Sequence, residues 1–510
     1  DPAGGTVTYS LTGADAGAFT INTSTGAVTF NASPDFETKS SYSFDVRASD
    51  PSGAFNTKAV VVSVSDVAPT ISSSTSASVA EGTSTSTVVY TASATDPAGG
   101  TVTYSLTGAD AGAFTIDTST GAVTFNVSPD FETKSSYSFN VKASDPSGAF
   151  NTQAVTVSVT DVAPTISSGA AGSVTEGAAA GTTVYTAAAS DVSGGTVNYS
   201  LSGADAGSFS INSSTGVVTI NAIPDYETKP SYSIDVVASD GTLSSTQAVT
   251  VSVADAAPAI SSGAAGGVTE GAAAGTTVYT AAASDVAGGT VSYSLSGTDA
   301  GSFTIDVSTG VVTINAIPDY EAKSSYSIDV VASDGTLSST QAVTVSVTDV
   351  APVIGSGAAG SVAEGAAAGT TVYTAVASDV AGGAVSYSLS GTDAGSFSIN
   401  SSTGVVTINA IPNFEAKSSY SIDVVASDGT LTSTQAVTVS VADVAPAISS
   451  GAAGGVTEGA AAGTTVYTTA ASDVAGGTLS YSLSGTDAGS FTINSSTGVV
   501  TINAIPDYEA

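Results

Sequence analysis

Apolar residues recur along this chain with a period of two. Val102, Tyr104 and Leu106 alternate with Thr and Ser, as do Tyr137, Phe139 and Val141, and then Val155, Val157 and Val159. That period marks strands with one buried and one solvated face, and Gly, Pro, Asp or Ser closes each run. Between residues 69 and 163 it predicts strands at Val88 to Ala94, Val102 to Leu106, Phe114 to Ile116, Ala122 to Phe125, Tyr137 to Ala143 and Ala154 to Val159. A seventh, opening the unit, is read from its equivalent at Thr165-Ile166. The Ser119-Thr120-Gly121 step predicts a hairpin loop, with glycine supplying a positive φ, and Ala109 to Gly112 predicts a single helical turn. Seven short antiparallel strands in so few residues predict an all-β fold of immunoglobulin-like sandwiches.

The pattern then repeats. A D-x-A-P step ends each period at Asp66, Asp161, Asp255, Asp349 and Asp443, spaced 95, 94, 94 and 94 residues apart. A period of that length is a whole domain. Repeats are expected at 69–163, 164–257, 258–351 and 352–445, with partial repeats at 1–68 and 446–510. The chain starts and stops inside a repeat, and the two partial repeats overlap in content over 38 residues, so the sequence is expected to be a window on a longer array. Linkers are nearly absent: the last strand runs through Asp161-Val162-Ala163-Pro164 into the next repeat, where proline fixes φ and stiffens the passage.

Composition narrows the chemistry. The 510 residues hold 8 Lys+Arg against 44 Asp+Glu, a net charge of -36, with no His, Cys, Met or Trp. A polyanion is a poor partner for nucleic acid or anionic membrane surfaces and a good one for cations. Disulfides, thiolate or histidine catalysis and Cys/His zinc sites are excluded. Charged residues make up only 10% and apolar ones 42%, so the acidity does not imply disorder.

The acids fall at strand ends. Residues 164–257 carry eight acids and one base, and six of the eight (Glu176, Asp191, Asp225, Glu227, Asp240 and Asp255) sit at loops, with only Asp205 and Asp235 elsewhere. Sandwich topology gathers the E-G, P-D-x-E and D-x-A-P steps at one pole and the S-D-V and S-D-G steps at the other. Stacked repeats then bring both sets together, and such a cluster needs a hard divalent cation; calcium, with six to eight oxygen ligands, suits it. Asp also forms Asx-turns without any metal, so S-D-G has a purely structural reading as well.

On these steps the repeats resemble cadherin domains, in the bacterial cadherin-like branch found in large secreted adhesins. The resemblance covers the whole chain and implies calcium between successive domains. For the junction after residue 163 it implies Glu81, Asp130, Glu132, Asp161, Asp191 and Asp240 as ligands. The next two junctions match with Glu176, Asp225, Glu227, Asp255, Asp285 and Asp334, and with Glu270, Asp319, Glu321, Asp349, Asp379 and Asp428. The outer two are poorer: Asp35, Glu37, Asp66, Asp96 and Asp145 at the first, and Glu364, Glu415, Asp443 and Asp473 at the last, where Asn413 replaces the Asp. The longer D-x-N-D-N-x-P linker of animal cadherins is missing, and Ala98 stands where a second acid of D-x-D belongs. One or two ions per junction are therefore expected, not three.

Paired carboxylates could serve a glycosidase, but that chemistry needs a cleft with stacking aromatics. Here Tyr and Phe fall on inward strand positions, so no catalytic residue is expected. Tandem calcium-dependent glycan-binding modules are the alternative, with Tyr226, Tyr320 and Tyr508 as the candidate platform. Sheet edges rich in Ser and Thr with few Lys predict lateral association of chains in a bundle or filament. The reading is an extracellular, calcium-stiffened spacer rod of a cell-surface adhesin or fibre, without direct membrane insertion.

Overall fold

The computed structural model describes residues 2–509. Two compact units, residues 1–255 and 256–510, are built of the same sandwich repeated. In the sandwich of residues 70–160 the strands are β1 (Thr70–Ile71), β2 (Ser76–Ala80), β3 (Tyr90–Thr91), β4 (Ala94–Thr95), β5 (Thr103–Thr107), β6 (Phe114–Ile116), β7 (Ala122–Phe125), β8 (Ser136–Ser144) and β9 (Phe150–Thr160). One sheet has the order β5-β8-β9-β2 and the other β6-β7-β3, while β1 pairs with β4. The expected first strand forms as β1, which pairs with β4, while β2, which the alternation does not predict, runs parallel to β9. The expected Val88 to Ala94 strand is broken into β3 and β4. Counting that broken strand once leaves eight, one more than the seven expected.

The hairpin and the helical turn form where the sequence places them. Phe114–Ile116 and Ala122–Phe125 pair antiparallel, with Gly121 at φ +73° between them. Ala111–Ala113 is a 3-10 turn, and among the described residues no α-helix occurs. Residues 8–63 and 447–502 hold incomplete versions of the sandwich, each with one three-stranded sheet.

Alternation fills the core. Val123, Val141 and Val157 are fully buried and Phe139 is 1% exposed. The rings of Phe114 and Phe125 lie 4.3 Å apart and those of Phe114 and Phe139 4.8 Å. In the later sandwiches Ile220 and Ile234 take the places of Phe125 and Phe139, and a single edge-on pair such as Phe209 and Tyr232 remains.

The Asp just before the 3-10 turn, read from sequence as lying outside the acidic clusters, anchors the turn. Asp110 accepts the ammonium of Lys134 and the Ser138 amide at 2.8 Å, and Lys134 sits 5.0 Å above the Tyr137 ring. The pair recurs as Asp15–Lys39, Asp205–Lys229, Asp299–Lys323 and Asp393–Lys417. It therefore uses five of the chain's eight basic residues.

Two outcomes follow. Phe139→Ala should destabilise its sandwich by about 3–5 kcal/mol, as aromatic truncation in a packed core does, read by calorimetry of the full chain. The hydrogen bond from Lys134, then that from Ser138, holds the Asp110 carboxyl below its ordinary value. A depressed carboxylate contributes stability above the unfolded aspartate pKa of about 4 and loses it as the pH falls through the folded value. Asp110→Asn should thus lower the denaturant midpoint at pH 7, with the difference from wild type vanishing at the acid end.

Candidate cation sites at the repeat junctions

Glu81 follows β2 directly and ties three segments together. Its carboxylate, 3% exposed, accepts the Phe131 amide at 3.0 Å, the Val162 amide at 2.9 Å and the Ser193 hydroxyl at 3.0 Å. The P-D-F-E loop, the linker and the next repeat thus meet on one side chain. Carboxylate oxygens of Glu81, Glu132 and Asp191 come within 4.8 Å of one another, and so do those of Glu132, Asp161 and Asp240. Glu132 belongs to both groups. Ionised pairs so close, with Glu81 and Asp191 buried, repel by a few kcal/mol each at moderate effective dielectric. Burial, then the charges of Glu81, Asp161 and Asp191, push Glu132 up to about 7.

Three aspartates of this junction are each held through one oxygen, Asp191 and Asp240 by the amides of their own turns. Asp240 Oδ1 accepts the amides of Thr242 and Leu243, both at 2.8 Å, and Asp191 Oδ1 accepts that of Ser193 at 2.8 Å. Asp161 Oδ2 accepts the Thr242 hydroxyl from the following repeat. The second oxygen of each (Asp240 Oδ2, Asp191 Oδ2 and Asp161 Oδ1) is buried with no hydrogen-bond donor among the described residues. Turn formation and ligand capacity are therefore not alternatives: one oxygen closes the turn and the other stays bare beside like charges.

Three further junctions lie inside the units. At the first, Glu37, Asp96 and Asp145 converge within 4.8 Å. Asp66 accepts the Ser147 hydroxyl there, and its Oδ1, Asp96 Oδ2 and Asp145 Oδ2 are bare. In the second unit Glu270, Glu321 and Asp379 converge, Asp349 accepts the Thr430 hydroxyl, and Asp349 Oδ1, Asp379 Oδ2 and Asp428 Oδ2 are bare. Burial, then Asp379, pushes Glu270 up to about 7, against the hydrogen bond from the Val350 amide. At the last junction Glu364 accepts the Phe414 amide at 3.1 Å and the Val444 amide at 2.8 Å. Burial, then Glu364 and Asp473, raises Asp443. Of the remaining candidates, Glu176, Glu227 and Asp255 cluster at the end of the first unit. Asp285 and Asp334, in the second, repeat the turn-plus-bare-oxygen geometry.

The Asp of the P-D-x-E step is placed differently. Both oxygens of Asp130 accept bonds from Thr133, amide and hydroxyl each at 2.8 Å. Asp35 and Asp225 do the same with Thr38 and Thr228, Asp319 accepts the Ala322 amide, and Glu415 follows Asn413, which accepts the Ala416 amide. Sequence reasoning missed Ser193 and the hydroxyls of Ser147, Thr242 and Thr430. Their signal was a Ser or Thr two residues after the Asp, in phase with the repeat. The Tyr226 and Tyr320 side chains pack on their domain cores and form no platform, while Tyr508 is 90% exposed.

The carboxylates and hydroxyls named at these clusters offer oxygen ligands, a donor set that suits a hard divalent cation. Tandem β-sandwiches with acidic clusters where one meets the next define a repeat protein whose chemistry sits at its junctions. A cadherin-domain family model matches residues 75–160, 170–254, 265–348 and 358–442, and the chain belongs to the cadherin family. It is 31% identical to human protocadherin Fat 1 over 357 residues, 64% of this chain and 8% of that protein. With mouse protocadherin Fat 4 it shares 28% over 456 residues, 80% of this chain and 9% of that protein. The chain thus spans less than a tenth of the length of either relative. Among solved structures it is similar to the protocadherin gammaB4 extracellular domain, at 23% identity and a TM-score of 0.27, covering 99% of this chain and 90% of that one. Mouse cadherin-23 EC22-24 matches at 26% identity and a TM-score of 0.25, covering 56% of this chain and all of that one. The family is one of adhesion proteins and not of enzymes. The relatives named above are human and mouse proteins, and the bacterial adhesin origin expected from the repeats is not confirmed by them.

Glu81→Ala should strand two part-buried amides and loosen the meeting of loop, linker and next repeat. Unsatisfied buried donors cost about 1–3 kcal/mol each, so the Phe131 and Val162 amides should lose hydrogen-exchange protection, and Glu81→Gln should keep most of it.

Proposed function

We propose that this chain is an extracellular spacer segment whose repeat junctions bind calcium, acting in cell-surface adhesion or fibre assembly. The observation that carries the reading is the set of aspartates that spend one oxygen on a turn and hold the other bare, buried and beside further carboxylates. At the junction after residue 163 the ligands are Glu81, Glu132, Asp161, Asp191 and Asp240, and their counterparts serve the others. Asp35, Asp130, Asp225 and Asp319 contribute through whatever lone pairs their turns leave. A bound divalent cation would neutralise the mutual repulsion and link the linker carboxylate to acids of both repeats, turning a loose joint into a stiff one. Near identity of the repeats favours a spacer over many distinct binding sites, and it is the feature that pointed to large bacterial surface adhesins. The Ser- and Thr-rich outer face of the β5-β8-β9-β2 sheet supports lateral contact between neighbouring chains. No helix among the described residues is long and apolar enough to cross a membrane.

The test is calcium titration of the full chain by calorimetry, with small-angle scattering in calcium and in chelator. One or two ions per junction should bind with Kd of about 10⁻⁴–10⁻³ M, the range of extracellular calcium modules, and the maximum dimension should narrow in distribution when calcium is present. Glu132→Gln with Asp161→Asn should remove the ions of one junction. No uptake at millimolar calcium would leave the acids as turn formers and solubilising charge.

A further inference from the structure

We infer that three junctions within the units also carry a contact that needs no cation: the valine of the S-D-V step docks on the glycine of the E-G step in the repeat before it. Gly82 has φ +68°, and a Cβ built there would lie 2.6 Å from Cγ2 and 2.9 Å from Cγ1 of Val192. In the second unit the same holds for Gly271 (φ +73°) against Val380, at 2.5 and 2.8 Å, and for Gly365 (φ +74°) against Val474, at 2.5 and 2.7 Å. Contacts under 3 Å are closer than any side chain tolerates, so three junctions share a socket that only glycine leaves open.

Both halves are held rigidly. The glycine amide donates to a proline carbonyl of its own repeat, Gly82 to Pro129, Gly271 to Pro318 and Gly365 to Pro412, each at 2.9 Å. Each of the three valines follows an aspartate whose Oδ1 takes the amide two residues on, at 2.8 Å for Asp191 and 2.9 Å for Asp379 and Asp473. These valines are 56–58% exposed, a large apolar exposure that no sandwich core accounts for. The contact accounts for it: one face of the side chain covers the glycine and the other stays in water. Ser193 adds a hydrogen bond from its hydroxyl to the Pro129 carbonyl at 3.3 Å, beside its bond to Glu81. The apolar contact and the bonds to the Pro129 carbonyl involve no ionised group and no metal. Direction between repeats is therefore set by the lock, and the carboxylates add stiffness to a joint already oriented.

Because the chain has no cysteine, Ser158→Cys with Thr246→Cys places a single pair of spin labels across the second junction of the full chain. Both positions are exposed. Their distance distribution is read by electron spin resonance in calcium and in chelator, with Val192 intact and as Val192→Ala. The lock predicts that intact chain keeps a narrow distribution in chelator and that Val192→Ala loses it, with the melting of the two sandwiches unchanged because the side chain lies outside both cores. Equal widths for Val192→Ala and intact chain in chelator would overturn the inference. Failure of the calcium reading shows separately, as no difference between calcium and chelator in either protein. Gly82→Ala, which meets the valine methyls from the other side, should broaden the distribution as well.

Discussion

The structure depends on aspartates that cannot satisfy both of their oxygens. Asp191 and Asp240 each give one oxygen to amides two or three residues on, which fixes the turn and so the direction of the carboxylate. The other oxygen, buried and without a donor, is then held where neighbouring carboxylates already repel it. A flexible acid would swing into solvent. An acid whose turn is closed by its own carboxylate cannot move without losing that turn. The repulsion is thus built into the backbone, and it is what a divalent cation would relieve.

The sandwich exists to bring such turns together. The parallel pairing of β2 with β9 puts the end of β2, and hence Glu81, next to the chain leaving β9 into the linker; Glu81 donates its amide to Thr160 while its side chain accepts that of Val162. Hairpin geometry puts the loop between β8 and β9 at the opposite pole, where Asp145 faces Asp96 and Glu37 of the repeat before. Core packing supplies the rigidity that makes these placements persist: Phe139, Val141 and Val157 on adjacent strands have almost no exposure. The Asp–Lys pair at the 3-10 turn engages five of the eight basic residues inside the domains, and among the described residues no ion pair forms with a junction acid.

Period-two alternation was enough to read β5 through β9, because each presents large apolar residues inward and Thr or Ser outward. It could not read β2, since Ser76-Ala77-Ser78-Val79-Ala80 has little apolar contrast and its partner β9 lies some eighty residues away. The break between β3 and β4 was equally invisible, being set by which sheet each half joins. For the site, the resemblance of the acidic steps to cadherin repeats pointed to Glu81, Glu132, Asp161, Asp191 and Asp240, which do converge. It could not show that Asp130 spends both oxygens on Thr133, because D-F-E-T reads the same whether the carboxylate faces its turn or the junction. The hydroxyls of Ser147, Thr242 and Thr430 were hidden for a related reason: their meaning lies in a contact across 81 residues with the linker aspartate.

Small departures from the repeat make the junctions unequal while the fold stays the same. Ser193 reaches Glu81, whereas its counterparts Ala287, Ala381 and Ala475 have no hydroxyl to offer. Asn413 stands where the other repeats have Asp, and its Nδ2 donates to the Ala475 carbonyl of the next repeat at 3.2 Å. One negative charge is thereby exchanged for a direct bond across the last junction. Such a change lowers the repulsion the joint must overcome and reduces what a cation can gain by binding there. Pro97 replaces the valine at the first junction, so that joint has the carboxylates Glu37, Asp96 and Asp145 without the apolar knob. An array assembled from one sandwich can therefore hold joints of different stiffness, set by single residues at its poles while the cores between them hardly change.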